Sequence, residues 1–541
     1  MVIGNALSVG LIGLKAFTIQ LQAFISSGTV GFSIIGLPDT SLSEARERVK
    51  SAYTALHCKW PDKRVTVNLS PASMPKSGSS YDLAIAASIL AAEGILPLKE
   101  LDKTVILGEL NLDGTILPIQ GILPISLYAK NQGMKRLVIP RENMKEAKLL
   151  EGIEVIDVHH IVDLITQLNG KLPEESLKLI EEDTIYKRIR INERKINENI
   201  ENSESNGKDI SPSGTGIYNK IGDMSEVIGQ EHTKWALQVA AAGGHHVMMI
   251  GPPGSGKTML ASRLPSIMCP LNENEQLEVA SIRSLCGTLP YYGISDIPPF
   301  EAPHHTSSAA SLIGGGAGLA KPGLITRAHC GVLFMDEAPE FSPRVLQTLR
   351  EPLESGFIAV SRSKGTAFYP AKFQLVIAAN PCPCGYAYGN GERCTCKEKD
   401  RIRYFSRLSG PILDRIDIQM DVPPVEHITT SSRDHKQYES KSTVLTSEMM
   451  RKTVITARLT AQERFKEQGW NCNAKASGTW LRKNTSTQAI SLINRALEKH
   501  QLSLRGADRA LRLSWTLADL AGHTSPDVSD VAQAISLRTR L

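Results

Sequence analysis

The stretch that most restricts this chain is Gly251-Pro-Pro-Gly-Ser-Gly-Lys-Thr258. It follows the apolar run His246 to Ile250 and precedes a helix-compatible segment, Met259 to Leu264. A buried strand that enters a glycine loop and leaves it as a helix is a phosphate site. Backbone N–H groups approach an anion closely only where side chains are missing, which is the use of Gly251, Gly254 and Gly256. Pro252, Pro253 and Ser255 fill the loop between them. Lys257 can reach the β- and γ-phosphates, and Thr258 offers a hydroxyl to Mg²⁺. The chain around this loop therefore reads as α/β, with ATP and Mg²⁺ as its ligands.

Eighty residues on comes Gly331-Val-Leu-Phe-Met-Asp-Glu337. Four apolar residues make a second buried strand, with two carboxylates at its end. Asp336 is suited to hold Mg²⁺, partly through water, and Glu337 to polarise an attacking water. A third apolar run, Gln374 to Ala379, ends at Asn380, whose amide can orient that water. The plainer alternative is an asparagine that ends a strand before Pro381. Phosphoryl transfer also benefits from guanidinium groups on the developing γ-phosphate charge. Arg415 in Leu413-Asp-Arg415 is a candidate, as are Arg505 and Arg509 at a helix start.

The chain has 541 residues, enough for several domains. Residues 1–170 alternate short strand-like and helix-like runs, including Val65–Leu69, Asp82–Glu93, Thr104–Leu107, Thr115–Leu117, Arg136–Ile139 and Glu154–Val158, and form an α/β domain. Residues 171–220 are rich in charge, Asn and Ser and are expected to be a flexible linker, with one short helix near Ile180–Ile191. Residues 221–430 hold the phosphate loop. Residues 431–541 are expected to be helical, over Ser447–Gln468, Ser486–Lys499, Leu504–Ala521 and Asp527–Leu537. The net charge of +5 is uneven, because residues 431–541 carry 18 basic against 10 acidic side chains. Such an excess fits a domain that meets a polyanion, or simply a helical domain with a basic surface. No apolar run is long enough to span a membrane. Met1–Leu14 lacks the basic start of a signal peptide and reads as a strand, so a cytoplasmic location is expected.

Four of nine cysteines, Cys382, Cys384, Cys394 and Cys396, fall in one short stretch. Two C-x-C pairs suit tetrahedral Zn²⁺ with no open coordination position, although the spacing is tighter than the usual C-x₂-C. Free thiols or a redox pair are the alternatives. The basic run Lys397 to Arg403 follows directly. His304 and His305 are adjacent, and a loop or structural role is expected for both.

Taken together, these words resemble an AAA+ ATPase, and more closely the ComM/YifB family of its magnesium-chelatase-like branch. The shared words are Gly36-Leu-Pro-Asp39, Pro303-His-His305, Gly314-Gly-Gly316, Pro339-Glu-Phe341, Asn380-Pro-Cys-Pro-Cys-Gly385 and Arg407 to Arg415. The resemblance implies a Walker A loop at Gly251–Thr258, Walker B at Asp336–Glu337 and sensor 1 at Asn380. Arg415 looks like an arginine finger offered to a neighbouring subunit, which implies a homo-oligomeric ring, expected to be a hexamer. Arg505 looks like sensor 2, reaching back from a helical lid over residues 431–541. Leu285–Lys321 looks like a helix-2 insertion and Gly365–Lys372 like a pre-sensor hairpin, elements that in related rings touch nucleic acid. Family members often have Arg where this chain has Glu301. The N-terminal domain resembles the Lon-protease-like (S5-like) α/β fold, with Ser80 at the nucleophile position. The partner lysine is replaced by Leu123, which cannot accept a proton, so no proteolysis is expected.

The function that the resemblance implies is ATP-driven movement of DNA, single-stranded or branched, in recombination during natural transformation. A chelatase-like motor that remodels a protein partner is the alternative. A scaffold that binds ATP without turnover is disfavoured by intact Glu337 and Arg415.

Overall fold

A computed structural model of the chain describes residues 3–36, 40–74, 76, 78–183, 186–187, 221–315, 321–362, 365–389, 391–408, 410–424 and 445–538. Most of the expected linker, the end of the expected Ile180–Ile191 helix and the boundary near residue 430 lie outside these residues.

The N-terminal region forms a seven-stranded mixed sheet. Its order is Gly31–Ile35, Arg64–Ser70, Lys15–Ser26, Ile3–Ile12, Thr104–Ile106, Arg136–Pro140, Glu154–Val158. The N-terminal apolar segment is the first arm of a long antiparallel hairpin, in which Ile12 pairs with Lys15 across a two-residue turn. Gly13 supplies that turn's left-handed residue at φ +63°. The alanine-rich helix Asp82–Ala92 lies so close on this hairpin that a Cβ at Gly4 would sit 1.9 Å from the Ser88 carbonyl oxygen. That closeness explains why the helix is small-sided and buried from Asp82 to Ala91. The expected helix near Ile180 is instead Glu174–Glu182, and Ile180 packs into the N-terminal core.

The phosphate-loop region is a five-stranded parallel sheet in the order Phe300–Glu301, Val332–Met335, Gln374–Ala379, Val247–Ile250, Ile418–Asp421. The three central strands are buried along their whole length, as the uninterrupted apolar runs require of a sheet covered on both faces. The expected Gly365–Lys372 hairpin is a two-stranded ribbon, Phe357–Arg362 with Gly365–Pro370. One edge lies against the N-terminal region, where a Cβ on Gly13 would meet the Phe368 carbonyl oxygen at 2.9 Å. The two regions also meet through a small apolar cluster of Leu123, Ala280 and Leu289. Beside it Gly121 N–H donates to the Ser284 carbonyl at 3.2 Å.

The C-terminal residues form helices Ser447–Arg464, Gly478–Asn484, Thr487–Glu498, Leu504–Ala521 and Val528–Arg538. Hydroxyl caps start four of them: Thr446, Ser477, Ser486 and Ser503 each accept a backbone N–H three residues on. One face of this bundle has its own aromatic core around Phe465, Trp480 and Trp515. Leu513, Leu517 and Val454 instead join the core beneath the parallel sheet. Among the described residues no helix is long and apolar enough to cross a membrane.

Candidate functional site

The upper edge of the parallel sheet gathers the phosphate loop, the carboxylate strand and Asn380. Val247–Ile250 delivers Gly251, and Lys257 opens the helix Lys257–Ile267. The three glycines serve different ends. Gly254 and Gly256 adopt φ +77° and +88° with open space where a Cβ would stand, so conformation selects them. At Gly251 space selects, because a Cβ would fall 2.3 Å from the Val422 carbonyl oxygen.

Lys257 is largely buried and threads back through the loop. Its Nζ donates to the carbonyls of Gly251 (2.7 Å) and Pro252 (2.9 Å) and reaches Asn380 Oδ1 at 3.3 Å. Burial lowers its pKa, while the carboxylates of Asp336 and Glu337 work in the opposite direction. Thr258 Oγ1 donates to Asp336 Oδ2 at 2.7 Å. A hydroxyl and a carboxylate converging at this distance form a hard oxygen donor pair, which suits Mg²⁺. Glu337 stands in a left-handed conformation, φ +49°, and its N–H donates to Asp336 Oδ1 at 2.9 Å. That turn swings its side chain away from Asp336 towards His305, whose Nδ1 lies 3.6 Å from Glu337 Oε2.

His305 is a site residue that the adjacency of two histidines does not reveal. The ring of His304 is 4.2 Å from it, centroid to centroid, and caps the local turn through Thr306. Glu301 does not face this site. It is held by Arg327 at 3.0 Å, with burial raising its pKa.

The arginines occupy the other edge. Ile418–Asp421 runs parallel to Val247–Ile250, so residues before Ile418 lie at the end of the sheet away from the phosphate loop, one strand length or about 13 Å below it. Arg415 is there, paired with Glu354. Arg505 is there too, 3.5 Å from Asp414, and is not brought to its own chain's Lys257. Arg509 pairs with the buried Asp417. Arg505 and Arg509, four apart on one helix face, thus engage the two carboxylates that bracket Arg415. Burial holds Arg415 below its ordinary pKa, and the nearby charges of Arg350, Arg509 and Arg505 add to it.

A polar network continues inward from Asp417. Its carboxylate accepts His246 N–H at 3.2 Å and lies 3.3 Å from His245 Nδ1, while His245 Nε2 meets Thr516 Oγ1 at 2.7 Å. Leu375 N–H donates to His246 Nδ1 at 3.0 Å.

Cys382, Cys384, Cys394 and Cys396 converge with all four sulfurs within 4.8 Å. Individual Sγ separations are 3.2, 3.7 and 3.8 Å. A tetrahedron of sulfurs around zinc at about 2.3 Å has edges of about 3.8 Å, so the set fits that ion. Ala387 N–H donates to Cys382 Sγ at 3.3 Å. A second group, Glu278, His329 and Cys330, is different. Both nitrogens of His329 are engaged, one with Glu278 at 2.8 Å and one with Lys372 N–H at 3.1 Å.

Comparison with known proteins covers the same three regions. Residues 21–143 match the family described as subunit ChlI of Mg-chelatase, residues 223–430 magnesium chelatase, subunit ChlI, and residues 445–538 its C-terminal part. An uncharacterized protein of Mycobacterium tuberculosis is 42% identical over 99% of both chains. Competence protein ComM of Haemophilus influenzae is 35% identical over 97% of this chain and 95% of its own. YifB of Escherichia coli is 35% identical over the same shares. Lon protease 2 of Bacillus subtilis is 32% identical over 131 residues, 24% of this chain and 23% of its own, a similarity confined to the N-terminal region.

Proposed function

The chain belongs to the ComM/YifB family of magnesium-chelatase-like AAA+ proteins, and from that premise we propose a ring-forming ATPase that couples ATP hydrolysis to the movement of branched or single-stranded DNA. The observation that carries the reading is the split of the site between two edges of one sheet. Lys257, Thr258, Asp336, Glu337 and Asn380 gather at one edge, and Arg415 stands with Arg505 at the other. Neither half completes phosphoryl transfer alone. A second copy that docks its arginine edge against this chain's phosphate loop completes the site, and repeating that contact closes a ring, taken here as a hexamer.

In this reading the loop N–H groups and Lys257 bind the β- and γ-phosphates. Thr258 and Asp336 would hold Mg²⁺, which offsets phosphate charge when bound. Glu337 takes the proton of the attacking water, and Asn380, in contact with Lys257, positions it. Arg415 and Arg505 meet the γ-phosphate of the neighbouring subunit, so Arg505 works across the interface and does not reach back to its own nucleotide. Arg415 must leave Glu354 to do so, and that exchange links nucleotide state to the subunit contact. The helices of residues 431–541 act as the lid, the part of residues 171–220 that follows the Glu174–Glu182 helix as a linker, and the N-terminal domain as a proteolytically inactive Lon-like module, all cytoplasmic. The four cysteines hold a structural zinc. DNA as the polyanion is supported by the basic excess of the C-terminal region and by the name of the competence relative.

ATP turnover measured with and without single-stranded and forked DNA, for wild type and Lys257→Ala, tests the reading. Stimulation by DNA that disappears in Lys257→Ala is the expected result. Turnover indifferent to DNA removes the DNA step and favours a protein-remodelling motor.

A further inference from the structure

We infer that the four-cysteine loop is a zinc-set brace of the phosphate loop, so that metal occupancy sets nucleotide affinity. The inference rests on the zinc assignment proposed above and adds a role to it. Cys382 begins two residues after Asn380, whose amide oxygen reaches Lys257. The first pair of ligands is thus continuous with the strand that ends in the site. Just after Cys384 the backbone turns left-handed at Gly385, φ +84°. A Cβ on Gly385 would lie 2.6 Å from both Cδ and Cγ of Pro253. The bare backbone of the cysteine loop therefore rests flat on the proline ring of the phosphate loop.

The second pair of ligands leads to the opposite wall. Cys394 and Cys396 precede the helix Glu398–Ser406, and Arg407 at its end donates to the Pro339 carbonyl at 3.3 Å and pairs with Glu340 at 3.1 Å. Pro339 and Glu340 follow Glu337 by two and three residues. One cluster of four sulfurs thus ties the stretch that touches Pro253 to the stretch that touches the carboxylate loop.

The loop between the two pairs is built from tight turns. Gly385, Gly389 and Gly391 are all left-handed, and Tyr386 is exposed beneath the Arg393 guanidinium, 4.6 Å from its ring. Four metal–sulfur bonds replace the missing hydrophobic core, as in other small metal-set loops. Without the cation, the four sulfurs lose the bonds that join them and the loop regains conformational freedom. Gly385 then no longer backs Pro253, and nucleotide binding must re-order the phosphate loop at its own expense. Re-ordering about one residue corresponds to a roughly tenfold weaker dissociation constant.

The test uses the full chain, with zinc content measured by elemental mass spectrometry and affinity by titration with a fluorescent N-methylanthraniloyl ATP. Wild type is compared with the Cys394→Ser, Cys396→Ser double variant and with Gly385→Ala, which keeps all four ligands. The expected result is one zinc per wild-type chain, no zinc and about tenfold weaker binding in the double variant, and retained zinc with weakened binding in Gly385→Ala. Wild type without zinc overturns the zinc assignment itself. Zinc present in wild type, lost in the double variant, with unchanged affinity leaves that assignment standing and overturns the brace. If the double variant does not fold, Gly385→Ala decides, and zinc-loaded protein of unchanged affinity overturns the brace.

Discussion

The two edges of the parallel sheet are built on opposite plans. At the upper edge, loops deliver polar groups one at a time: Thr258 and the Glu337 N–H bond to Asp336, and His305 approaches Glu337. At the lower edge, His245, His246, Asp417, Thr516 and Arg509 close into a network in which the polar groups satisfy one another. The first plan keeps binding groups available, and the second fixes the chain that carries Arg415. In the proposed ring, a guanidinium that has to find a partner on another subunit needs a rigid root, and the buried network would be that root.

Removing Arg415 should cost most. If it serves a neighbour's phosphate, Arg415→Ala lowers turnover by about 10³-fold with nucleotide binding nearly intact. Equal loss of binding and turnover would place Arg415 in its own chain's fold. At the upper edge, Glu337→Gln should lower turnover by about 10²- to 10⁴-fold while ATP still binds. Single-turnover rates beside equilibrium affinities separate the two.

The lower edge should break differently. Asp417→Asn leaves the half-buried Arg509 without its countercharge and the buried His245 without its acceptor, and should cost about 3–5 kcal/mol of unfolding free energy in urea titration. A loss below about 1 kcal/mol would show that the network is not the root of Arg415.

The same edge should be the acid-sensitive one. Burial pushes His246 down to about 4, against the pull of Asp417. Burial opposes the charge of Asp417, but the His245 hydrogen bond and Arg509 hold it well below the usual carboxylate range. Both groups bind fewer protons folded than unfolded. Their contribution is therefore complete above about pH 6.5, falls between there and about 4 through His246, and falls further below the carboxylate range through Asp417. Urea midpoints at pH 7, 5 and 4 should decrease in that order, and a flat profile would contradict the assignment. The smallest effect is expected at His305. His305→Ala should slow turnover several-fold at unchanged ATP affinity, since His305 only steers Glu337.

This contrast also explains which features were legible in the sequence. The upper edge was readable because glycine loops, apolar strands and terminal carboxylates are local patterns, and the helix Leu504–Ala521 appears with the bounds its periodicity predicts. The clamp of Asp414 and Asp417 by Arg505 and Arg509 joins residues some ninety positions apart. No local pattern reports such a pairing, and sensor-like placement of Arg505 above its own nucleotide was the natural expectation. His305 was hidden for another reason. Its role depends on the left-handed turn at Glu337, which a non-glycine residue adopts only under tertiary constraint. In the N-terminal region the second arm of the first hairpin, Lys15–Ser26, alternates buried and exposed residues from Ile19 to Ala23, a strand pattern that went unread.

Leu123 has a bearing on how the two regions join. By the resemblance to a Lon-type domain it stands at the position of the lysine, and it is fully buried at the joint with Ala280 and Leu289. Its N–H is also shared between Glu146 at 2.9 Å and Ser284 at 3.3 Å. Ser80 lines a 180 Å³ cavity nearby with Gln120 and Lys321. A lysine at position 123 would drive an ammonium into the seam between two domains before it could serve the serine. One apolar side chain thus seals the joint between the two regions, and a charge at the same position would open it.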